Sequence, residues 1–288
     1  MNNPLKLLVG KYNPSTSVDH QNALKEVIQE ITLAGLSRAS FFDKAAFYGG
    51  TALRIFYGLP RFSEDLDFTL LKPQKDFSLK PYFKSIEDML YSFGLSVEVT
   101  EIKKSRDRNI ESAFLKTNTL IHLLKIVPQD YKNLGVQKNQ NIQVKFEVDV
   151  TSPQGFETEV KALFPPITSS VKILKPSSLF AGKMHAVLCR KLQGRVKGRD
   201  FYDLLWYIGQ KIPLKISYLE TKMKESHDLD INQMLTESQI IKRLEDKLKT
   251  VNWVVCKNDI INFIKDPAEL DAWNTDFFLA SVKLIKFE

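Results

Sequence analysis

Apolar positions recur at near-helical spacing over residues 19–40, where Leu24, Val27, Ile28, Ile31 and Leu33 predict an amphipathic helix. A short apolar run, Ala45–Tyr48, then ends at Gly49-Gly50, and a helical pattern restarts over residues 51–57. Gly58-Leu59-Pro60 breaks that helix, and residues 61–71 alternate in the manner of a strand. A helix is predicted over residues 80–93, with Phe83, Ile86, Met89 and Leu90 on one face. Strands are predicted over 95–102, 112–115, 120–127 and 141–150, with the polar stretch 130–140 as a loop. The pattern changes at Phe164-Pro165-Pro166, after which helical periodicity dominates. There, Ser177 or Ser178 is the expected N-cap of a helix reaching about residue 192, and a second helix starts near Arg199. The expected class is α/β (α+β), with a mixed-sheet domain over residues 1–165 and a mainly helical domain over 166–288.

Chemistry concentrates first in YGGTALRIFYGLPRFSEDLDFTLL. Paired glycines between a strand and a helix allow dihedrals that side chains forbid and let a ligand approach the backbone. The helix start that follows offers unpaired N–H groups to phosphate oxygens, and Thr51 adds a hydroxyl. On the following strand Ser63, Asp65, Asp67 and Thr69 fall on one face, while Phe62, Leu66, Phe68 and Leu70 point the other way. Residues two apart on a strand are separated by roughly 6.6 Å, a spacing that lets two carboxylates share a hard divalent cation with a triphosphate. Aspartate is a poor strand former, so two at alternate positions call for a reason. The bland reading of the same residues is a glycine turn and an edge strand with a solvated face.

The stretch IQVKFEVDV presents a second set of acids. Val144, Phe146, Val148 and Val150 form an apolar face, opposite Lys145, Glu147 and Asp149. Further on, Lys183, Arg190, Arg195, Lys197 and Arg199 cluster around a loop framed by Gly194 and Gly198. Such a cluster can hold a triphosphate or an RNA end through charge-assisted hydrogen bonds. Asp200 and Asp203 share a helix face beyond it. Helix capping by Asp200 and solvated ion pairs to Lys197 and Arg199 would account for the same residues without function.

The net charge of +7 and pI near 9.1 favour polyanionic partners. Cys189 and Cys256 are isolated, which speaks against a disulfide framework and a thiolate metal site and suits a reducing compartment. The chain starts without a signal-peptide pattern and shows no run long enough to span a bilayer, so a cytoplasmic location is expected. His20, His122, His185 and His227 show no metal-ligand spacing, and Trp206, Trp253 and Trp273 read as core residues rather than base-stacking platforms.

Gly49-Gly50-Thr51 followed by Asp65-Leu66-Asp67 resembles the signature of polymerase-beta-like nucleotidyltransferases. The longer string, with Arg61, Ser63, Asp65 and Asp67 in an Arg-x-Ser-x-Asp-x-Asp arrangement, resembles the AbiEii toxin branch. Lys183-x-His185 and Lys197-Gly-Arg-Asp200-Phe-Tyr-Asp203 are similar to a second motif of that branch. The resemblance implies a polymerase-beta-like N-terminal fold and transfer of a nucleoside monophosphate from an NTP to an acceptor hydroxyl. It implies magnesium on Asp65 and Asp67, with a third acid that the family pattern places at Glu147. That pattern has Asn where this chain has Asp149, so the two acids share the assignment. It further implies that Gly49, Gly50, Thr51, Arg61, Ser63, Lys197 and Asp203 serve the nucleotide and that Lys183 and Asp200 take part in activity. By the same resemblance the acceptor is the 3′ end of tRNA, and the partner is a cognate antitoxin that need not touch the toxin. Transfer to a protein or small-molecule hydroxyl, or a non-catalytic nucleotide-binding module, are the rival readings.

Overall fold

The computed structural model describes residues 4–101, 119–128, 142–151, 153–190 and 197–288. The strand expected at 112–115, the loop expected at 130–140, and Gly194 and Arg195 of the basic loop lie outside the described residues. The chain forms two compact units. One comprises Met1–Ala52, Ser63–Ser152 and Thr158–Ile173; the other comprises Leu53–Phe62, Pro153–Glu157 and Leu174–Glu288.

The first unit carries a mixed sheet. Its strands are β1 (Ala45–Tyr48), β2 (Leu66–Leu70), β3 (Leu95–Glu101), β4 (Thr119–Pro128), β5 (Ile142–Asp149), β6 (Thr158–Leu163) and β7 (Ser169–Leu174), in the order β3-β4-β5-β2-β1-β7-β6. β2 runs antiparallel to β1 and parallel to β5, and β4 runs antiparallel to β3 and β5. Helices α1 (Pro4–Gly10), α2 (Ser17–Arg38) and α4 (Lys80–Ser92) belong to the same unit, and α3 (Gly49–Tyr57) begins in it. α2 starts ahead of the predicted helix because Thr16 and Asp19 form a capping box. The hydroxyl of Thr16 accepts from the Asp19 amide at 3.1 Å, and the Asp19 carboxylate accepts from the Thr16 amide at 3.0 Å.

Alternation on β5 sorts as the sequence predicts, with Ile142, Val144, Phe146 and Val148 buried and the residues between them less so. The buried side of β2 and β5 meets an aromatic cluster in which Phe68 stacks on Phe146 at 4.6 Å and on the edge of Phe41 at 5.0 Å. The strand predicted over 61–71 is shorter in the structure, starting at Leu66. Gln29 of α2 explains part of the difference. Its amide donates to the carbonyls of Ser63 (3.0 Å) and Glu64 (2.8 Å), occupying acceptors that a strand ladder would use. The sequence pattern predicts no strand at β6 or β7; β6 buries only Leu163, whereas β7 buries Ser169, Val171, Ile173 and Leu174.

The second unit is mainly helical, with α5 (Pro176–Cys189), α6 (Gly198–Gly209), α7 (Ile216–Glu225), α8 (Glu237–Leu248), α9 (Trp253–Ile260) and α10 (Thr275–Val282). A small parallel pair, β8 (Pro213–Leu214) and β9 (Lys286–Phe287), completes it. α5 begins one residue before the serines expected to cap it. Pro176 takes the first turn, where its fixed φ and missing N–H cost nothing, and the Ser178 hydroxyl instead accepts from the Glu157 amide at 2.9 Å. Phe180 and Tyr207 stack at 4.4 Å between α5 and α6. Trp253 stacks on Phe278 at 4.3 Å while Trp273 meets the same ring edge-on at 5.3 Å, so two of the three tryptophans read as core pack in an aromatic cluster. Among the described residues no helix is long and apolar enough to cross a membrane.

Candidate active site

The glycine turn and the acid strand meet through backbone register. Tyr48, the last residue of β1, lies opposite Asp67 on β2, so Gly49 emerges beside the Asp67 side chain. Gly49 adopts φ +82°, and a Cβ added there would lie 2.4 Å from Asp67 Oδ2. Only glycine fits both the conformation and the space. Asp67 in turn is the register partner of Glu147 on the parallel strand β5, and Thr69 is the partner of Asp149. In-register residues on neighbouring strands project to the same face, about 4.8 Å apart along the sheet. The acid sharing a level with Asp67 is therefore Glu147, and Asp149 sits one step further along. The Asp149 carboxylate also accepts from the Thr151 amide at 3.1 Å, closing the turn after β5.

Asp65 lies just before β2, and its carbonyl accepts from the Thr51 hydroxyl. Thr51 is buried, with the Ser63 hydroxyl 3.0 Å from its own. These bonds pin the first turn of α3 to the segment entering β2. Gly50 opens that helix beside Gly49. The charge of the face shows in Lys145, which forms an ion pair with Glu147. Burial works against its ammonium. The hydrogen bond and charge of Glu147, with smaller contributions from Asp65 and Asp67, outweigh that and raise it above its ordinary value. One cation thus already feels all three carboxylates. Among the described residues these three acids do not bring one oxygen each within 4.8 Å of the others, so a shared metal would be held with help from the phosphates it binds. Hard oxygen donors on one sheet face, with enough negative potential to hold a lysine, fit magnesium.

The second unit gathers the other predicted residues. The guanidinium of Arg61 donates from Nε and a terminal nitrogen to both carboxylate oxygens of Asp203, each at 2.6 Å, and from its other terminal nitrogen to the Phe62 carbonyl at 2.9 Å. Arg61 and Asp203 are buried at 3% and 0% side-chain exposure, which leaves this fork no face for solvent. Lys183 Nζ lies 2.8 Å from Asp200 and 2.8 Å from Asp203, and Arg190 pairs with the other oxygen of Asp200. Burial opposes the charge of both aspartates. Lys183 and Arg190 at Asp200, and Arg61 and Lys183 at Asp203, prevail and hold both carboxyls below the usual range. Lys197 stands at the N-cap of α6, where burial and then the charge of Arg190 lower its ammonium. Asp200 therefore does not act as a helix cap; its carboxylate is taken up by the two cations.

The sequence puts Lys145 on the face of Glu147 and Asp149 but does not show that it pairs with Glu147, and it does not reveal Gln29 as the clamp on Ser63 and Glu64. An alternating Lys-x-Glu on β5 was the available signal for the first; a buried glutamine in an amphipathic helix gave none for the second.

A mixed sheet followed by a helical unit is a fold shared with solved structures. The chain resembles a crystal structure of an H. pylori protein described as a candidate nucleotidyltransferase, at 17% identity and a TM-score of 0.53, over 90% of this chain and 92% of that one. It also resembles JHP933 from Helicobacter pylori, at 17% identity and a TM-score of 0.52, over 92% and 91% of the two chains. No curated protein matches it. The fold is thus that of these nucleotidyltransferase-like structures. The model of the family described as nucleotidyl transferase AbiEii toxin, type IV TA system, matches residues 31–280, and the chain belongs to that family. It is a nucleotidyltransferase of the toxin half of a toxin–antitoxin system.

Proposed function

We propose that the chain transfers a nucleoside monophosphate from an NTP to an acceptor hydroxyl at the tRNA 3′ end, with Asp65 and Asp67 as magnesium ligands. The observation that carries this reading is the alignment of Asp67 with Glu147 across β2 and β5, against a glycine whose missing side chain makes room for the carboxylate. A bound magnesium ion supplies charge neutralisation of the triphosphate. Glu147, level with Asp67, accepts the proton of the attacking hydroxyl in this reading; Asp149, engaged with Thr151, is the lesser candidate. Gly49, Gly50 and the start of α3 offer backbone N–H groups to phosphate oxygens, while Thr51 and Ser63 hold that turn in place. In the second unit Lys183 is the phosphate-contact candidate, with Arg190 and Lys197 beside it. Arg61, Asp203 and Asp200 orient that lysine rather than touch the nucleotide. The net positive charge suits an RNA acceptor, and family membership supports a cognate antitoxin.

The test is incubation with each labelled NTP, magnesium chloride and total tRNA, for the wild type and for Asp67→Ala. Label in RNA, lowered on the order of 100-fold or more in the variant, is expected from loss of a charge-neutralising group. Label in protein or in a small molecule moves the acceptor assignment, and an Asp67→Ala variant as active as wild type refutes the metal assignment.

A further inference from the structure

The second unit brings together three side chains from two separate segments of the chain. His185 and Cys189 are four residues apart on α5, so they stack on one helix face. Asp228 follows α7 and reaches the same spot. One ligand atom from each lies within 4.8 Å of the other two, and His185 Nε2 is 3.8 Å from the Asp228 carboxylate. We propose that His185, Cys189 and Asp228 form a metal site for a divalent transition ion of zinc's kind, separate from the magnesium-binding acids, which ties α5 to the segment after α7.

The ligand set decides the class of ion. A thiolate, an imidazole and a carboxylate suit zinc, whereas magnesium takes hard oxygen donors and avoids sulfur. Zinc ligands sit roughly 2.0–2.3 Å from the ion, so tetrahedral ligand atoms stand about 3.3–3.8 Å apart. The His185–Asp228 separation of 3.8 Å exceeds by a few tenths of an ångström the roughly 3.3–3.5 Å that a nitrogen and an oxygen ligand need, and with all three ligand atoms within 4.8 Å of one another a modest contraction would close the triangle on the ion. Three protein ligands leave a fourth position for water, and Asp228 is open enough to solvent for one to reach it, at 36% side-chain exposure.

The surroundings hold the ligands in position. The Ser226 hydroxyl donates to Asp228 and lies 2.8 Å from His185 Nε2, the contact a metal would replace. The amides of Asp228 and Leu229 both donate to the Met223 carbonyl, at 2.8 and 3.1 Å, fixing the turn that carries the aspartate. Lys222, Arg190, Arg243 and Lys247 face the cluster electrostatically. They disfavour a bare cation, but they also offset the two negative ligands that a bound zinc would need. On binding, the sulfur–metal bond forms as the thiol proton leaves to solvent. The site would anchor the helix that carries Lys183, two residues before His185.

The experiment is a cobalt(II) chloride titration of the full chain, stripped of metal by chelation and dialysis, in excess magnesium chloride. A thiolate-to-cobalt charge-transfer band saturating at one equivalent, and bleached by zinc, is expected. Cys189→Ser should abolish the band with helical circular dichroism retained, and Asp228→Asn should weaken cobalt binding by tenfold or more. Absence of the band in wild type overturns the site, as does a band that survives Cys189→Ser. Should Cys189→Ser fail to fold, the wild-type band and Asp228→Asn decide alone, and unchanged affinity in Asp228→Asn removes the carboxylate from the site.

Discussion

Replacing Gly49 by alanine separates the backbone role of the turn from its role in placing an acid. The added Cβ meets two obstacles. At φ +82° an L side chain costs about 1–2 kcal/mol. The same Cβ would also lie 2.4 Å from Asp67 Oδ2 and 3.2 Å from its Cγ, so the carboxylate must move. Gly94 supplies the control, because it has φ +77° and nothing within 4 Å of its added Cβ. Gly49→Ala and Gly94→Ala should therefore share the backbone cost, a fall in Tm of about 2–4 °C for each kcal/mol in a domain of this size. Only Gly49→Ala should lose transfer, by on the order of 100-fold, since a displacement of about 1 Å at a reacting centre costs that much. Thermal melts and labelled-NTP transfer to tRNA measured on both variants give the comparison. A Gly49→Ala enzyme that transfers as well as Gly94→Ala would show that the position of Asp67 does not matter, and the reading of this face as a metal-binding site would fall with it.

Glu147→Gln should slow transfer by about 10²–10⁴-fold, while Asp149→Asn stays within about tenfold of wild type; rates on the two variants with saturating NTP check this, and the reverse order would give Asp149 the role. Asp203→Asn leaves Arg61 and Lys183 without their shared partner and should destabilise the second unit by about 3–5 kcal/mol, read from denaturant unfolding. The pH dependence follows from the same carboxyls. Asp200 and Asp203 have folded values held below the ordinary 3.8, so their contribution is fully present above that pH and is lost as pH falls through it towards the folded values. Acid titration by circular dichroism should show wild type losing stability below about pH 4, and Asp203→Asn should lose less over the same window.

The legibility of this molecule in its sequence follows how local each feature is. The alternation of Val144, Phe146 and Val148 and the glycine break after β1 are short-range signals, and both appear in the structure where the pattern put them. The pairing of Asp67 with Glu147 is not short-range. It depends on β2 and β5 running parallel and in a given register, which no periodicity within either strand specifies. The early end of the predicted 61–71 strand was equally hidden, since the competitor for its carbonyls is Gln29, more than thirty residues away. Arg61 shows the same limit in electrostatic form. By the family resemblance it serves the nucleotide. In the structure it is buried and spent on Asp203, 142 residues on. A buried guanidinium neutralised by a carboxylate has no free charge to offer a nucleotide, and the carboxylate that neutralises it here, Asp203, is shared with Lys183. His185 and Cys189 carried their four-residue spacing in plain view. What made them readable as a pair was Asp228, whose approach depends on how α7 ends. Side chains that meet through tertiary packing become chemistry only once the fold supplies their partner, and the acids and the cations of this chain are two instances of that dependence.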